Sequence, residues 1–242
     1  MRAIGVIPAR YGSTRLPGKP LLDLAGKPVI QHVYERAVKA TSIDSVIVAT
    51  DDNRIAEEVE RFGGRAVMTS RDHPNGTSRV AEAARNEDAD IVINIQGDEP
   101  FISPEMIDEI VRAMENDPDV PSATLCWQIP PEKYDDPNVV KAVRDQNDLA
   151  LYFSRSIIPY PRNTEYQVVY EHIGIFGYRH DFLPVFLSLE ETPLSQAESL
   201  EQLIILEHGY KMKVIETRVR YDALSIDTEE DLQMARRILA AE

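Results

Sequence analysis

The sequence predicts an α/β fold: a doubly wound sheet over the first half of the chain, with a smaller β-rich insertion behind it. Two observations carry this. Short apolar runs alternate with helical patterns from residue 4 to about residue 118, as parallel strands joined by right-handed crossovers do. One run, Ile91-Val92-Ile93-Asn94-Ile95, is apolar almost throughout, as a strand covered on both faces is. Ligands of such sheets bind outside the carboxyl ends of the strands. The loops at those ends are therefore where function is sought.

In order, residues 4–7 form the first strand. A helix opens at Pro28, with Ile30, Val33, Tyr34, Ala37 and Val38 on one stripe; Pro suits a first helical position. Residues 46–49 are a second strand, ending at Thr50-Asp51-Asp52. Ile55, Val59 and Phe62 mark a second helix, stopped by Gly63-Gly64. Residues 66–68 are a short strand, and the loop 72–79 leads into a helix reaching Asn86. The buried strand 91–95 ends at Gln96-Gly97-Asp98-Glu99-Pro100. A helix from about Ser103 carries Ile107, Ile110, Val111 and Met114.

The second half reads differently. Strands are expected at 123–129, 139–144, 149–154, 171–179 and 213–217, with a Pro-containing loop at 155–167. In the strand 171–179, His172, Gly174, Phe176 and Tyr178 share one face, because side chains alternate. One helix is expected over 196–208, ending at Gly209. A last helix starts at Thr228, where a hydroxyl followed three residues later by Asp231 resembles a capping box. The chain divides into a nucleotide-binding half at about 1–118, a β-rich part at about 119–217 and a returning strand and helix at 218–242, all within one domain.

Composition narrows the function. The chain has 242 residues and a net charge of −15, which disfavours nucleic acid as a partner. A single cysteine, Cys126, leaves no internal disulfide and suits a reducing cytosol. The first strand begins at once, without a signal-peptide pattern, and no apolar run reaches the ~18 residues of a membrane span. The expectation is a cytoplasmic protein.

Against this acidity, residues 7–20 stand out: Ile-Pro-Ala-Arg-Tyr-Gly-Ser-Thr-Arg-Leu-Pro-Gly-Lys-Pro. The loop leaves the end of the first strand. It carries Arg10, Arg15 and Lys19 among glycines, hydroxyls and prolines. Such a loop suits a polyphosphate: glycines let N–H groups approach, and the cations neutralise charge. It is not a Walker A loop, because the glycine spacing is one residue too long and Pro20 follows the lysine. Basic surface loops of this composition also occur without a ligand.

A nucleotide triphosphate needs a divalent cation, and Mg2+ takes one or two protein carboxylates. Asp98 follows the buried strand, where such a ligand belongs; it also reads as a turn acid before Pro100. Asp227 precedes the capping hydroxyl, and locally it reads as a helix-start acid. Around these residues the wording is more specific. The 7–20 loop is followed by Asn-Ile-Gln-Gly-Asp-Glu-Pro, Tyr-Phe-Ser-Arg-Ser-Ile-Ile-Pro at 152–159, His-Ile-Gly-Ile-Phe-Gly-Tyr-Arg at 172–179, Leu-Glu-Gln-Leu at 200–203 and Asp227-Thr228. In that order they resemble the 3-deoxy-manno-octulosonate (KDO) cytidylyltransferases, from Met1 to the last helix. The CMP-sialate synthetases share only the opening Pro-Ala-Arg.

The resemblance implies a Rossmann-like, doubly wound mixed sheet of the nucleotide-diphospho-sugar transferase type. It implies that CTP and KDO are joined to CMP-KDO and pyrophosphate for lipopolysaccharide assembly, with the anomeric hydroxyl attacking the α-phosphorus. Arg10, Arg15 and Lys19 match the phosphate grip, and Asp98 and Asp227 the Mg2+ ligands. Arg79, Gln96, His172, Tyr178, Glu198 and Gln202 match the sugar-acid region, with Ala9 and Ser78 as further substrate contacts. A homodimer is implied, with 120–180 as the contact. These residue types suit the chemistry, since phosphoryl-type transfer needs positioning and charge neutralisation. Several also have plain structural readings: Glu198 and Gln202 lie on a polar helix face, His172 can be a strand histidine, Tyr178 can be core, and Gln96 can bond backbone.

The chain departs from the family pattern at three places. Asn75-Gly76-Thr77-Ser78-Arg79 stands where Ser-Gly-Thr, an acid and Arg are usual. Ser195 replaces a glutamate, and Ile204 an arginine. These leave the reaction class intact and open the sugar to an 8-amino variant of KDO. A non-catalytic nucleotide-binding protein is the reading from another class; the two distant carboxylates argue against it.

Overall fold

The computed structural model describes residues 1–12, 16–221 and 224–240. The first half alternates as the apolar runs require. Strand β1 (Ala3–Ala9) is followed by a small hairpin, β2 (Asp23–Leu24) and β3 (Lys27–Pro28), and by α1 (Val29–Ala37). Then come β4 (Ser45–Thr50), α2 (Asn53–Arg61), β5 (Ala66–Met68), α3 (Gly76–Ala84), β6 (Ile91–Asn94) and α4 (Pro104–Asn116). The second half contributes β7 (Ser122–Gln128), β8 (Lys141–Arg144), β9 (Ala150–Ser154) and β10 (Tyr170–Arg179). It closes with α5 (Phe182–Ser188), α6 (Pro193–Glu198), α7 (Gln202–Glu207), β11 (Met212–Glu216) and α8 (Glu229–Leu239).

The main path of one sheet runs β11-β7-β10-β6-β1-β4-β5, with β8 and β9 laddered onto the end of β10. Strands β5, β4, β1 and β6 are mutually parallel, and β10 runs antiparallel to both its neighbours β6 and β7. The sheet is therefore mixed. Strand β1 alternates cleanly: Ala3, Ile7 and Ala9 face the core under α1, α2 and α4, while Ile4 and Val6 face the core under α3, α5 and α7. In β6, Ile91 and Ile93 join the first layer and Val92 the second. Each fully buried valine or isoleucine among them contributes ~1.5–3 kcal/mol.

The chain leaves β1 toward β4 on one side, and β6 pairs with its other side. Strand β1 thus marks the point where the strand order reverses, and a crevice opens between the carboxyl ends of β1 and β6. A third apolar cluster joins α8 to the β2–β3 hairpin through Leu24, Val29, Ile226, Leu232 and Ala235. The last helix is thereby carried back beside the start of the chain. Its capping box forms as expected: Asp231 N donates to Thr228 Oγ1, and Thr228 N to Asp231 Oδ2.

Three differences from the sequence reading have physical reasons. The single helix over 196–208 is two, α6 and α7, separated where Ser199 adopts a left-handed backbone (φ 52°). Helix α5 carries Pro184 within its first turn, where a missing N–H costs nothing. With α5, α6 and α7 the second half is less exclusively β than its sequence suggests. In β10 the register to β7 shifts between Ile173 and Phe176, and Thr124 Oγ1 lies within bonding distance of the Ile173 and Ile175 carbonyls there.

Candidate active site

A cavity of roughly 420 Å³ opens at the crevice. Its walls come from the end of β1 (Pro8, Ala9, Arg10), the turn at Lys19-Pro20, the segment leading into α3 (His73 to Gly76, and Arg79), the turn after β6 (Gln96 to Asp98) and Asp227. Seven predicted residues meet here: Ala9, Arg10, Lys19, Arg79, Gln96, Asp98 and Asp227. Arg15 lies outside the described residues. Ser78, His172, Tyr178, Glu198 and Gln202 do not line this cavity.

The Lys19 ammonium is the centre of the charge arrangement. It donates to Asp98 Oδ2 at 2.7 Å and to Asp227 Oδ1 at 3.0 Å. Acids 129 positions apart in sequence converge because Ile226 N donates to the Asp98 carbonyl (2.9 Å), which lays the approach to α8 alongside the turn after β6. That turn needs glycine: a Cβ at Gly97 would stand 2.6 Å from the Pro8 carbonyl oxygen. Next to it, burial, with the charges of Asp98 and Glu171 adding to it, pushes the Glu99 carboxyl up to about 8. Glu99 is therefore protonated at neutral pH and leaves the local negative charge to Asp98 and Asp227.

The lysine's own loop is fixed by Tyr11. Gly18, at φ 70°, donates its N–H to the Tyr11 carbonyl, and its Cα packs against the tyrosine ring, where a Cβ would be 3.2 Å away. On the ring lies Arg54 of α2, its guanidinium carbon 3.4 Å from the centroid. Both nitrogens used by Arg54 are anchored on Asp52, the residue capping α2. Arg54→Ala is expected to raise the KM for the nucleotide about fivefold, the scale of a lost cation–π contact, while kcat stays within a factor of about two. Steady-state kinetics at saturating second substrate check this, and a change confined to kcat contradicts it.

Arg79 lines the wall but is 4% exposed. One terminal nitrogen donates to Thr69 Oγ1 and the Ser70 carbonyl, and the other to Asp51 Oδ2 at 2.9 Å. Asp51 was not singled out from sequence; its only signal is its place at the carboxyl end of β4. His73 and Asn75 were missed as wall residues. His73 bonds Glu82 through Nε2. Asn75 caps α3 by accepting from Ser78 N, and its amide donates to Glu201 Oε1. Glu201 also accepts from Thr77 Oγ1, so α7 is tied to the α3 entrance. Burial raises the Glu201 carboxyl above its ordinary range.

Gln96 on the wall, and the predicted residues behind or beside the cavity, are each fixed by packing or hydrogen bonds. Gln96 Nε2 donates to the Gly174 carbonyl. Tyr178 is fully buried, stacked between Phe176 and Phe186. Glu198 accepts from Ser154 Oγ and Arg155 N and holds the end of β9. Gln202 is buried, and its Nε2 has no partner among the described residues. His172 packs between Phe153 and Phe176, with Nε2 on Thr124 Oγ1; burial depresses its pKa to about 3. A histidine held neutral this way contributes stability that is complete above its unfolded pKa of ~6.5 and is lost as pH falls toward 3. His172→Gln is therefore expected to flatten the loss of stability between pH 6.5 and 5, read from denaturant midpoints; an unchanged slope contradicts the assignment.

Two of the departures from family pattern have local work. Ser195 Oγ accepts from Thr192 N and donates to the Thr192 carbonyl at the start of α6, and Ser78 Oγ donates to the Asn75 carbonyl. Cys126 is buried, its thiol pushed up to about 12 by burial, so it stays a packed, unreactive group.

A cytidylyltransferase family model matches residues 4–215. The chain belongs to the cytidylyltransferase family. A 3-deoxy-manno-octulosonate cytidylyltransferase of Syntrophus aciditrophicus is 48% identical over 98% of this cytidylyltransferase and 97% of its own length. One from Escherichia coli is 47% identical over 100% and 97%. A solved CMP:2-keto-3-deoxy-manno-octonic acid synthetase, complexed with CTP, superposes with a TM-score of 0.96 at 47% identity, covering 100% of this chain and 99% of that one. A 4-diphosphocytidyl-2C-methyl-D-erythritol synthase of Anaerococcus prevotii, at 17% identity and a TM-score of 0.65, shares the fold. Among the described residues of this cytidylyltransferase, no helix is long and apolar enough to cross a membrane.

Proposed function

We propose that this cytidylyltransferase activates KDO with CTP, giving CMP-KDO and pyrophosphate for lipopolysaccharide assembly in the cytoplasm. The observation that carries the reading is the convergence, at the switch point of the sheet, of a cationic loop and a carboxylate pair already bridged by an ammonium. The full-length relatives named for the same reaction support it.

The carboxylate pair fits Mg2+. Two oxygens converge on one cation position, which suits an ion that completes its shell with phosphate and water. No cluster of three or more potential metal-ligating side chains occurs among the described residues, which disfavours an all-protein cage. When bound by Asp98 and Asp227, Mg2+ would offset charge on the triphosphate. Arg10, Arg15 and Lys19 hold the phosphates in line. Arg79, anchored on Asp51, presents a fixed cation to the sugar acid, and Gln96 a polar edge to its hydroxyls. The anomeric hydroxyl oxygen then bonds the α-phosphorus as the bond to the bridging oxygen breaks, and pyrophosphate leaves. His172, Tyr178, Glu198 and Gln202 support the sugar end from behind; Ala9 borders the nucleotide end, with Ser78 behind it.

The full-length relatives named for 3-deoxy-manno-octulosonate favour KDO over an 8-amino variant. Pyrophosphate release from four nucleoside triphosphates against KDO, 8-amino-KDO and sialic acid tests this. CTP with KDO is expected to lead every other pair by about a hundredfold or more, the discrimination of a site built from polar contacts. A faster second pair, or no release, contradicts it.

A homodimer belongs to the same proposal. Leu151, Tyr160 and Tyr166 are 61%, 84% and 76% exposed on β9 and the segment before β10, apolar side chains within the 120–180 stretch that a second copy would cover. Light scattering is expected to give a mass near 55 kDa, twice the 27.3 kDa of one chain; a mass near one chain contradicts it.

A further inference from the structure

We propose that Lys19 determines how metal is admitted: its ammonium is a resident counter-cation shared by Asp98 and Asp227, and a divalent cation replaces it only together with a polyphosphate that takes Lys19 over. The inference rests on the metal assignment above and adds a rule of entry to it.

The lysine side chain is 14% exposed and the two carboxylates 26% and 35% exposed, so the three charges are only partly screened by solvent. A carboxylate stripped of its partner in such a place is costly. A dication on the same oxygens would repel the ammonium at close range in a place only partly screened by solvent. Metal alone therefore competes with Lys19 and strands a positive charge. A metal–nucleotide complex does not. The carboxylates exchange one cation for another, and the ammonium exchanges carboxylate oxygens for phosphate oxygens, so every charge keeps a partner.

The structure confines the exchange to the side chain. The backbone at Lys19 is held on both sides, its N–H donating to the Leu16 carbonyl and its own carbonyl accepting from Leu22 N. Gly18 is packed on the Tyr11 ring. Beyond this fixed base the flexible four-carbon stem is free to re-aim its point charge. Lys19 would thus act twice: as a phosphate contact in the loaded site, and as the residue that makes the empty site discriminate against free metal.

Mn2+ binding, read by the EPR signal of the free ion, tests this without turnover. In the wild-type protein Mn2+ alone should bind weakly, and CTP without sugar should tighten it by about tenfold or more, an ordinary coupling between sites. In Lys19→Met, Mn2+ alone should bind about tenfold tighter than in the wild type, and the gain from CTP should shrink. Lys19→Arg should resemble the wild type, and adding Asp98→Asn to Lys19→Met should erase the gain, which assigns it to this pair. Mn2+ should also raise the melting temperature of Lys19→Met more than that of the wild type; Lys19→Gln serves for both readings if the methionine variant does not fold. Unchanged or weaker Mn2+ binding on removing Lys19, or wild-type binding as tight without CTP as with it, overturns the proposal. Failure of CTP and KDO to react would overturn the functional reading alone, since the Mn2+ series needs no turnover.

Discussion

Asp98→Asn and Asp227→Asn should each lower kcat by about a thousandfold or more while the protein stays folded. Charge neutralisation at the triphosphate is the main service this kind of site supplies, and losses on this scale follow removal of such a group. Either substitution keeps a hydrogen-bonding oxygen opposite Lys19, so the ion pair weakens without leaving a hole. Both side chains are about a quarter to a third exposed, which limits the structural cost. Circular dichroism and melting curves within a few degrees of wild type, with turnover gone, are the expected pair of results. Near-normal turnover in either variant would remove that residue from the metal site.

Gly97→Ala carries the second large effect, for a different reason. The new Cβ would lie 2.6 Å from the Pro8 carbonyl oxygen. That contact is with backbone at the end of β1, so no side chain can swing away. Either the turn holding Asp98 or the strand end leading to Arg10 must shift. A displacement near 1 Å at such a site costs about a hundredfold in rate, and overpacking costs ~1–3 kcal/mol. The expected outcome is a fall of about a hundredfold in kcat/KM with a lowered melting temperature. Wild-type kinetics in Gly97→Ala would contradict the close approach.

Much of the sheet could be read from residue pattern because burial leaves a local mark. Strand β6 is apolar on successive residues, and α1, α2 and α4 carry clean stripes. Strand direction leaves no such mark. Nothing in the wording of 170–179 says that β10 runs against β6 and β7. The break at Ser199 was also silent, with no glycine or proline there. It accompanies a tertiary demand: Glu198 is held by Ser154 and Arg155, while Glu201, three residues on, is held by Asn75 and Thr77. No single straight helix was required by the sequence to meet both.

The site divides along the same line. Arg10, Lys19 and Asp98 were visible because cations, glycines and an acid cluster at strand ends. Asp227 was visible only through family resemblance, because its neighbour in space is fixed by the bond from Ile226 to Asp98 across the whole chain. Asp51 was visible only as an acid at the end of a strand, and Arg54 not at all. Each works through another side chain, Arg79 and Tyr11, and such pairings are set by packing. His172 shows the converse: its motif is conspicuous, yet it faces Phe153, Phe176 and Thr124.

The most direct test is phosphorus NMR of the purified protein mixed with CTP, KDO and Mg2+. The three CTP resonances are expected to give way to one phosphodiester signal and one pyrophosphate signal with integrals of 1 to 2, as equimolar CMP-KDO and pyrophosphate require. Unchanged CTP, or release of inorganic phosphate without a phosphodiester, would contradict it.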